Sequence, residues 1–165
     1  MAPTQDYRKG EPEGLSRRRR LQTYEGDGIV VTFDPNRCIH AAECVRALPR
    51  VFNPRERRWV RLEYAPADRI AETVVRCPTG ALHFRRTDDA PDEAPPARAS
   101  ILLDPGGPYY VRGDVVVELE DGTQVVRDTR VALCRCGRSA AMPFCDGSHA
   151  HLPPADETGG RPLAG

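Results

Sequence analysis

The sequence predicts an α+β chain of two small units, a mixed strand–helix unit followed by a mostly β unit. Three features carry this reading. Apolar residues recur at helical spacing only between about residues 41 and 75, flanked by β-branched runs. From Ile101 onward short β-rich runs alternate with Gly, Pro and Asp turns, and no helical period returns. Between the two patterns, residues 88–98 are acidic and rich in proline.

Residues 1–25 are polar, include the block Arg17, Arg18, Arg19 and Arg20, and lack a sustained apolar period, so they read as a disordered arm. Residues 28–33 are β-branched and read as a strand, turned by Asp34-Pro35-Asn36 toward Cys38. Residues 41–48 suit a helix stopped by Pro49. A short strand is expected at 59–62, a helix at 68–75 ending at Cys77-Pro78, and a strand at 81–84. Residues 26–86 thus form the first domain, and 87–98 a stiff, extended linker. In the second domain, 99–151, strands are expected at 101–103, 109–111, 115–119, 123–127 and 131–133, with Asp121-Gly122 as a hairpin turn. Residues 152–165 read as a disordered tail.

Composition narrows the function classes. The 24 basic and 24 acidic residues cancel, which argues against a nucleic-acid binder. No apolar run approaches the roughly 18–20 residues of a membrane span, and the first residues carry no secretory-type apolar stretch. A cytoplasmic protein is expected, where six cysteines stay reduced or bind metal rather than form disulfides. No nucleotide-binding glycine loop and no nucleophile–base pair is visible, so the chain is not expected to be an enzyme.

Cys134, Cys136, Cys145 and His149 fall within sixteen residues. Soft thiolates with one imidazole point to a metal site. Cys134-x-Cys136 is tighter than the Cys-x2–4-Cys pairs usual for structural zinc. An extended backbone would point these two side chains apart, so the chain must bend, which Gly137 eases. A two-iron cluster needs two ligand pairs, and Cys134 with Cys136 and Cys145 with His149 is the simplest division; zinc is the alternative.

The run Cys134-x-Cys136-x2-Ser139-x3-Pro143-x-Cys145-Asp146-Gly147-Ser148-His149 resembles the full signature of the CDGSH iron–sulfur (NEET-type) proteins. The resemblance implies a [2Fe-2S] cluster on those three cysteines and His149. Met142 stands where many relatives carry lysine. Imidazole leaves iron more readily than thiolate because protonation competes with the bond, so proton-coupled reduction and an acid-labile, transferable cluster are expected. His151 is read as a second imidazole near the site, not a ligand.

Cys38-x5-Cys44 with the distant Cys77-Pro78 follows the bacterial pattern Cys-x2-Cys-x2-Cys … Cys-Pro with Ala41 at the middle cysteine. Three cysteines favour a [3Fe-4S] cluster; a [4Fe-4S] cluster is the alternative, its fourth ligand drawn from His40, Glu43, water or an exogenous group. Cys38 to Arg46, 48–53 and Cys77 to Leu82 resemble the divergent single-cluster ferredoxin domains, which implies a small ferredoxin-like N-terminal domain ahead of a CDGSH-type domain. Ile39, Val45, Leu48, Val51, Phe52, Val74, Val75 and Leu82 are expected to shield this cluster, and Trp59 reads as core rather than electron relay.

The expected function is a soluble one-electron carrier whose redox partner proteins are a reductase and an acceptor enzyme. The alternative is cluster transfer to apo iron–sulfur proteins, or redox or iron sensing. Neither nucleic acid nor membrane is an expected partner. Related CDGSH proteins are often homodimers, and the resemblance leaves that state open for this chain.

Overall fold

The computed structural model describes residues 20–152. Most of the predicted arm, with Arg17, Arg18 and Arg19, and the predicted tail from residue 153 lie outside the described residues. The architecture is mostly β with a little helix: two antiparallel three-stranded sheets, ordered β1-β2-β3 and β4-β5-β6.

The first sheet joins β1 (Gln22–Gly26), β2 (Ile29–Phe33) and β3 (Leu82–Arg86). Gln22 to Glu25, assigned to the arm by composition, are therefore part of a strand. Its apolar content is low because it is an edge strand that needs only the backbone of β2, with Gln22 opposite Phe33 and Gly26 opposite Ile29. Ile29, Val31 and Phe33 alternate inward. Helix α1 spans Glu43–Ala47 and α2 spans Ala67–Val74. The first is shorter than its apolar pattern suggests, since Ala42 takes a left-handed conformation (φ 61°) and Leu48 leaves the helix before Pro49. The strand expected at 59–62 reduces to one bridge, Phe52 to Val60, followed by a 3-10 turn at Leu62–Tyr64. Ile29, Val31, Val51, Phe52, Val60, Leu62, Ile70, Val74 and Leu82 form the core, and Cys38, Cys44 and Cys77 pack against it. Trp59 sits in an aromatic group, its ring 4.6 Å from Phe33 and 6.0 Å from Phe52.

In the second sheet β4 is Ser100–Leu103, β5 Tyr109–Glu118 and β6 Gln124–Leu133. Runs expected as separate strands fuse here. Arg112 and Val115 pair with Arg130 and Asp128, so two residues of β5 face Thr129 alone. This bulge lets one long twisted strand replace two short ones.

The linker is extended but is not a spacer. It lies along the free edge of β3, where Glu93 Oε2 accepts from the Phe84 N–H (3.1 Å) and Asp92 Oδ1 from the Arg86 N–H (2.6 Å). These carboxylates replace a missing strand partner for the edge. The Glu93 side chain is only 5% exposed. Composition showed an acidic, stiff segment; only the fold supplies basic and backbone donors for it to meet.

Candidate iron–sulfur sites

The C-terminal site is a loop hung from β6. The Cys145 N–H donates to Ala132 O and the Cys134 N–H to Pro143 O, both at 2.8 Å, so the two arms of the loop are held side by side. Gly137 at φ 68° makes the bend after Cys136, and the Cys134 and Cys136 sulfurs lie 3.7 Å apart. Two thiolates on one tetrahedral ion at ~2.3 Å would lie about 3.8 Å apart, so the spacing fits a shared metal atom. Across the loop, Cys145 Sγ is 3.2 Å from His149 Nδ1, which makes Nδ1 the imidazole atom available for ligation.

The other motif residues hold this shape. Ser139 Oγ donates to Phe144 O (2.6 Å) and accepts from the Ala141 N–H (3.0 Å). Asp146 accepts from the Ala140 N–H (2.8 Å) and from the Ser148 N–H and hydroxyl (3.0 and 2.6 Å). Gly147 turns at φ 89° into the 3-10 turn Ser148–His151 that carries His149. Backbone N–H groups of Arg138 and Gly147 approach the Cys136 and Cys145 sulfurs at 3.4 Å. Burial of Cys134 works against its thiolate, but N–H groups of Ser139, Gly137 and Cys136 and the Cys136 side chain outweigh it and lower the pKa. Cys145 goes the other way, raised chiefly by burial. His151 and Met142 are exposed.

At the N-terminal site, Cys38 and Cys44 flank a strained loop in which His40 (φ 59°) and Ala42 (φ 61°) take left-handed conformations around Ala41. Burial raises the Cys38 pKa, and burial with the neighbouring Cys77 and Cys38 charges pushes Cys44 up to about 11. Two thiols raised by burial and by neighbouring thiolate charge fit a site that is stable as thiolates only around cations. Cys77 Sγ is 3.6 Å from Thr79 Oγ1. His40 is exposed, and Glu43 pairs with Arg46 on its own helix. Among the described residues no three His, Cys, Asp or Glu side chains converge on a single ion.

The two sites are neighbours. A Cβ built on Gly147 would lie 3.9 Å from Ile39 Cα, and chain geometry then keeps the Cα atoms of Cys38 and Cys145 within about 17 Å. Arg37, beside Cys38, lies over the ring of Phe144, beside Cys145, at 5.4 Å. Arg37 also pairs with Asp128 of β6 and donates to Arg130 O (2.9 Å). Arg130 reaches back into the first half, its Nε donating to Cys77 O (2.8 Å) and its Nη2 to Leu82 O (2.7 Å). Glu93 takes its third nitrogen at 2.5 Å. Sequence reasoning missed this junction of Arg37, His83, Glu93, Asp128 and Arg130. The one available signal was the charged run Arg127-Asp128-Thr129-Arg130 between the apolar pairs Val125-Val126 and Val131-Ala132.

Comparisons with known proteins agree with both halves. Residues 106–150 match the family model described as iron-binding zinc finger, CDGSH type. Residues 24–87 match the model described as divergent 4Fe-4S mono-cluster. A protein of Escherichia coli K12 described as uncharacterized protein YjdI is 31% identical over 62 residues, covering 38% of this chain and 82% of that protein. Its counterpart in E. coli O157:H7 gives the same figures. No solved structure matches the chain. Among the described residues no helix is long and apolar enough to cross a membrane.

Proposed function

The chain belongs to the divergent 4Fe-4S mono-cluster family through its first half and to the CDGSH iron-binding family through its second, and from that premise we propose a two-cluster carrier of single electrons. Cys134, Cys136, Cys145 and His149 would hold a [2Fe-2S] cluster. Cys38, Cys44 and Cys77 would hold a cluster of 4Fe-4S type whose fourth iron lacks a cysteine, because Ala41 occupies that place, and which therefore converts readily to [3Fe-4S]. When bound, such clusters supply one-electron couples whose potentials respond to charge, burial and hydrogen bonds to sulfur.

The observation that carries the proposal is the contact between the two ligand loops, Ile39 against Gly147, with Arg37 spanning from the Cys38 loop to Phe144. The chain's own residues keep the loops apposed and leave both ligand sets half-buried, with Cys145 the buried cysteine among them. Reductase and acceptor proteins are the proposed partners. The half-exposed His149 favours a second reading, donation of the C-terminal cluster to an apo iron–sulfur protein.

Anaerobic reductive titration with freeze-quenched EPR, alongside iron and sulfide quantitation, tests the proposal. Electrons added below one equivalent should redistribute between two distinct signals at about five to six irons per chain. Two centres that fill without exchanging electrons, together with cluster loss to an apo-acceptor, would support the second reading instead.

A further inference from the structure

The junction between the halves contains an imidazole that neither site uses as a ligand. His83, on β3, lies between two carboxylates from other segments. Its Nδ1 is 3.1 Å from Glu93 Oε1 of the linker, and its Nε2 is 3.2 Å from Asp128 Oδ1 of β6 without hydrogen-bond geometry. The charged groups around it are Glu93, Asp128 and Arg130, with Arg37 acting on Asp128. The Thr32 hydroxyl of β2 donates to the His83 carbonyl (3.5 Å), and the Thr129 hydroxyl is bound to Glu93 (2.7 Å). With His83 neutral, two arginines balance two carboxylates; a proton on Nε2 adds one positive charge directly facing Asp128. The side chain is 17% exposed, but Nε2 itself is buried, so a proton reaches it through a local opening of the junction.

One guanidinium connects this group to the first ligand set. Arg130 bonds both Leu82 O, next to His83, and Cys77 O, which places those carbonyls within about 8 Å of each other. We propose that His83 is the proton-binding residue that tunes the N-terminal centre, taking up a proton from solvent when that centre gains an electron. The proposal rests on the presence of a redox cluster at Cys38, Cys44 and Cys77, and not on electron exchange between the two clusters. One electron comes from a low-potential reductant (dithionite in the assay), and one proton binds His83 Nε2. Unit charges about 10 Å apart in a medium of effective dielectric near 20 change proton affinity roughly tenfold. Burial works against the charged imidazole, but the two carboxylates outweigh it and raise its pKa.

The test is the midpoint potential of each cluster, read from its own EPR signal, from pH 5.5 to 9 in the holoprotein and in His83→Gln. The N-terminal potential should fall with rising pH by the equivalent of tenfold, about 59 mV, and should become flat in His83→Gln. Any slope of the C-terminal signal, where His149 is the ligand, should be unchanged in the variant. A flat wild-type N-terminal potential, or a slope surviving in His83→Gln, overturns the proposal. Should His83→Gln fail to fold, Glu93→Gln removes one of the two carboxylates and should move the wild-type breakpoint to lower pH; an unmoved breakpoint overturns it equally. Independent N-terminal and C-terminal signals with the predicted slope would refute inter-cluster exchange while leaving His83 in place.

Discussion

Asp128→Asn attacks the junction at one of its two buried arginine–carboxylate pairs. The Asp128 and Arg37 side chains are 4% and 10% exposed, and the Arg37 Nε already has no acceptor. Neutralising Asp128 leaves the guanidinium with one backbone acceptor, Arg130 O. Breaking a buried pair on one side costs about 3–5 kcal/mol. At about 2–4 °C per kcal/mol for a chain of this length, the melting temperature should fall by roughly 6–20 °C. Guanidinium unfolding of the holoprotein provides the assay, with fluorescence of Trp59, the only tryptophan, reporting the first half and the EPR signal of the His149 centre the second. In the wild type the two probes should move together, and in Asp128→Asn they should separate as the halves uncouple. Arg37→Met with Asp128→Asn removes both charges and should recover most of the loss, since a buried pair replaced as a unit is far less costly. A loss below about 1 kcal/mol, or strictly additive single and double variants, would show that the pair does not join the halves.

Gly80→Ala places a Cβ 2.4 Å from Arg130 O at φ 68°, so it should destabilise the junction by more than ~2 kcal/mol, while Gly106→Ala at φ 78° in open space should cost only the ~1–2 kcal/mol of a left-handed alanine; equal losses in the same unfolding assay would contradict the packing described. For Glu93, burial works against the carboxylate, but His83, Arg130 and Thr129 outweigh it and hold its pKa at about 2. Its contribution to stability is therefore complete above its ordinary value and lost as pH falls toward 2, so Glu93→Gln should lower stability at neutral pH and remove part of the acid sensitivity; parallel wild-type and variant curves would exclude this role. His83 contributes in the opposite sense, with stability full below 6.5 and lost as pH rises through its raised pKa, so the junction should be firmest between these limits. His149→Cys should slow cluster loss at mildly acid pH and lower the potential of the C-terminal centre, followed by visible absorbance and EPR; unchanged loss kinetics would remove the role given to the imidazole.

The proposed C-terminal ligand set could be read from the sequence because it is local. Cys134, Cys136, Cys145 and His149 lie on one short loop, and Ser139, Asp146 and Gly147 shape that loop through bonds spanning only a few residues. The proposed N-terminal set is less local: Cys38 and Cys44 are near neighbours, while Cys77 is distant and is proposed through its proline. Helix α2 followed from apolar spacing over two turns, whereas β1 escaped because an edge strand can be held by backbone bonds with little apolar signal of its own.

The sequence by itself determined two cysteine-rich units with different ligand chemistry, and which residues could serve each. Only the tertiary structure decided that the units touch, that the acidic linker is a clamp on β3, and that Arg130 of one half serves the Cys77 loop of the other. The reason is physical. Ligand spacing is written in covalent connectivity, while Arg37 meets Asp128 across 91 residues and Arg130 meets Cys77 across 53. Nothing in local propensity reports which distant charge a buried guanidinium will find.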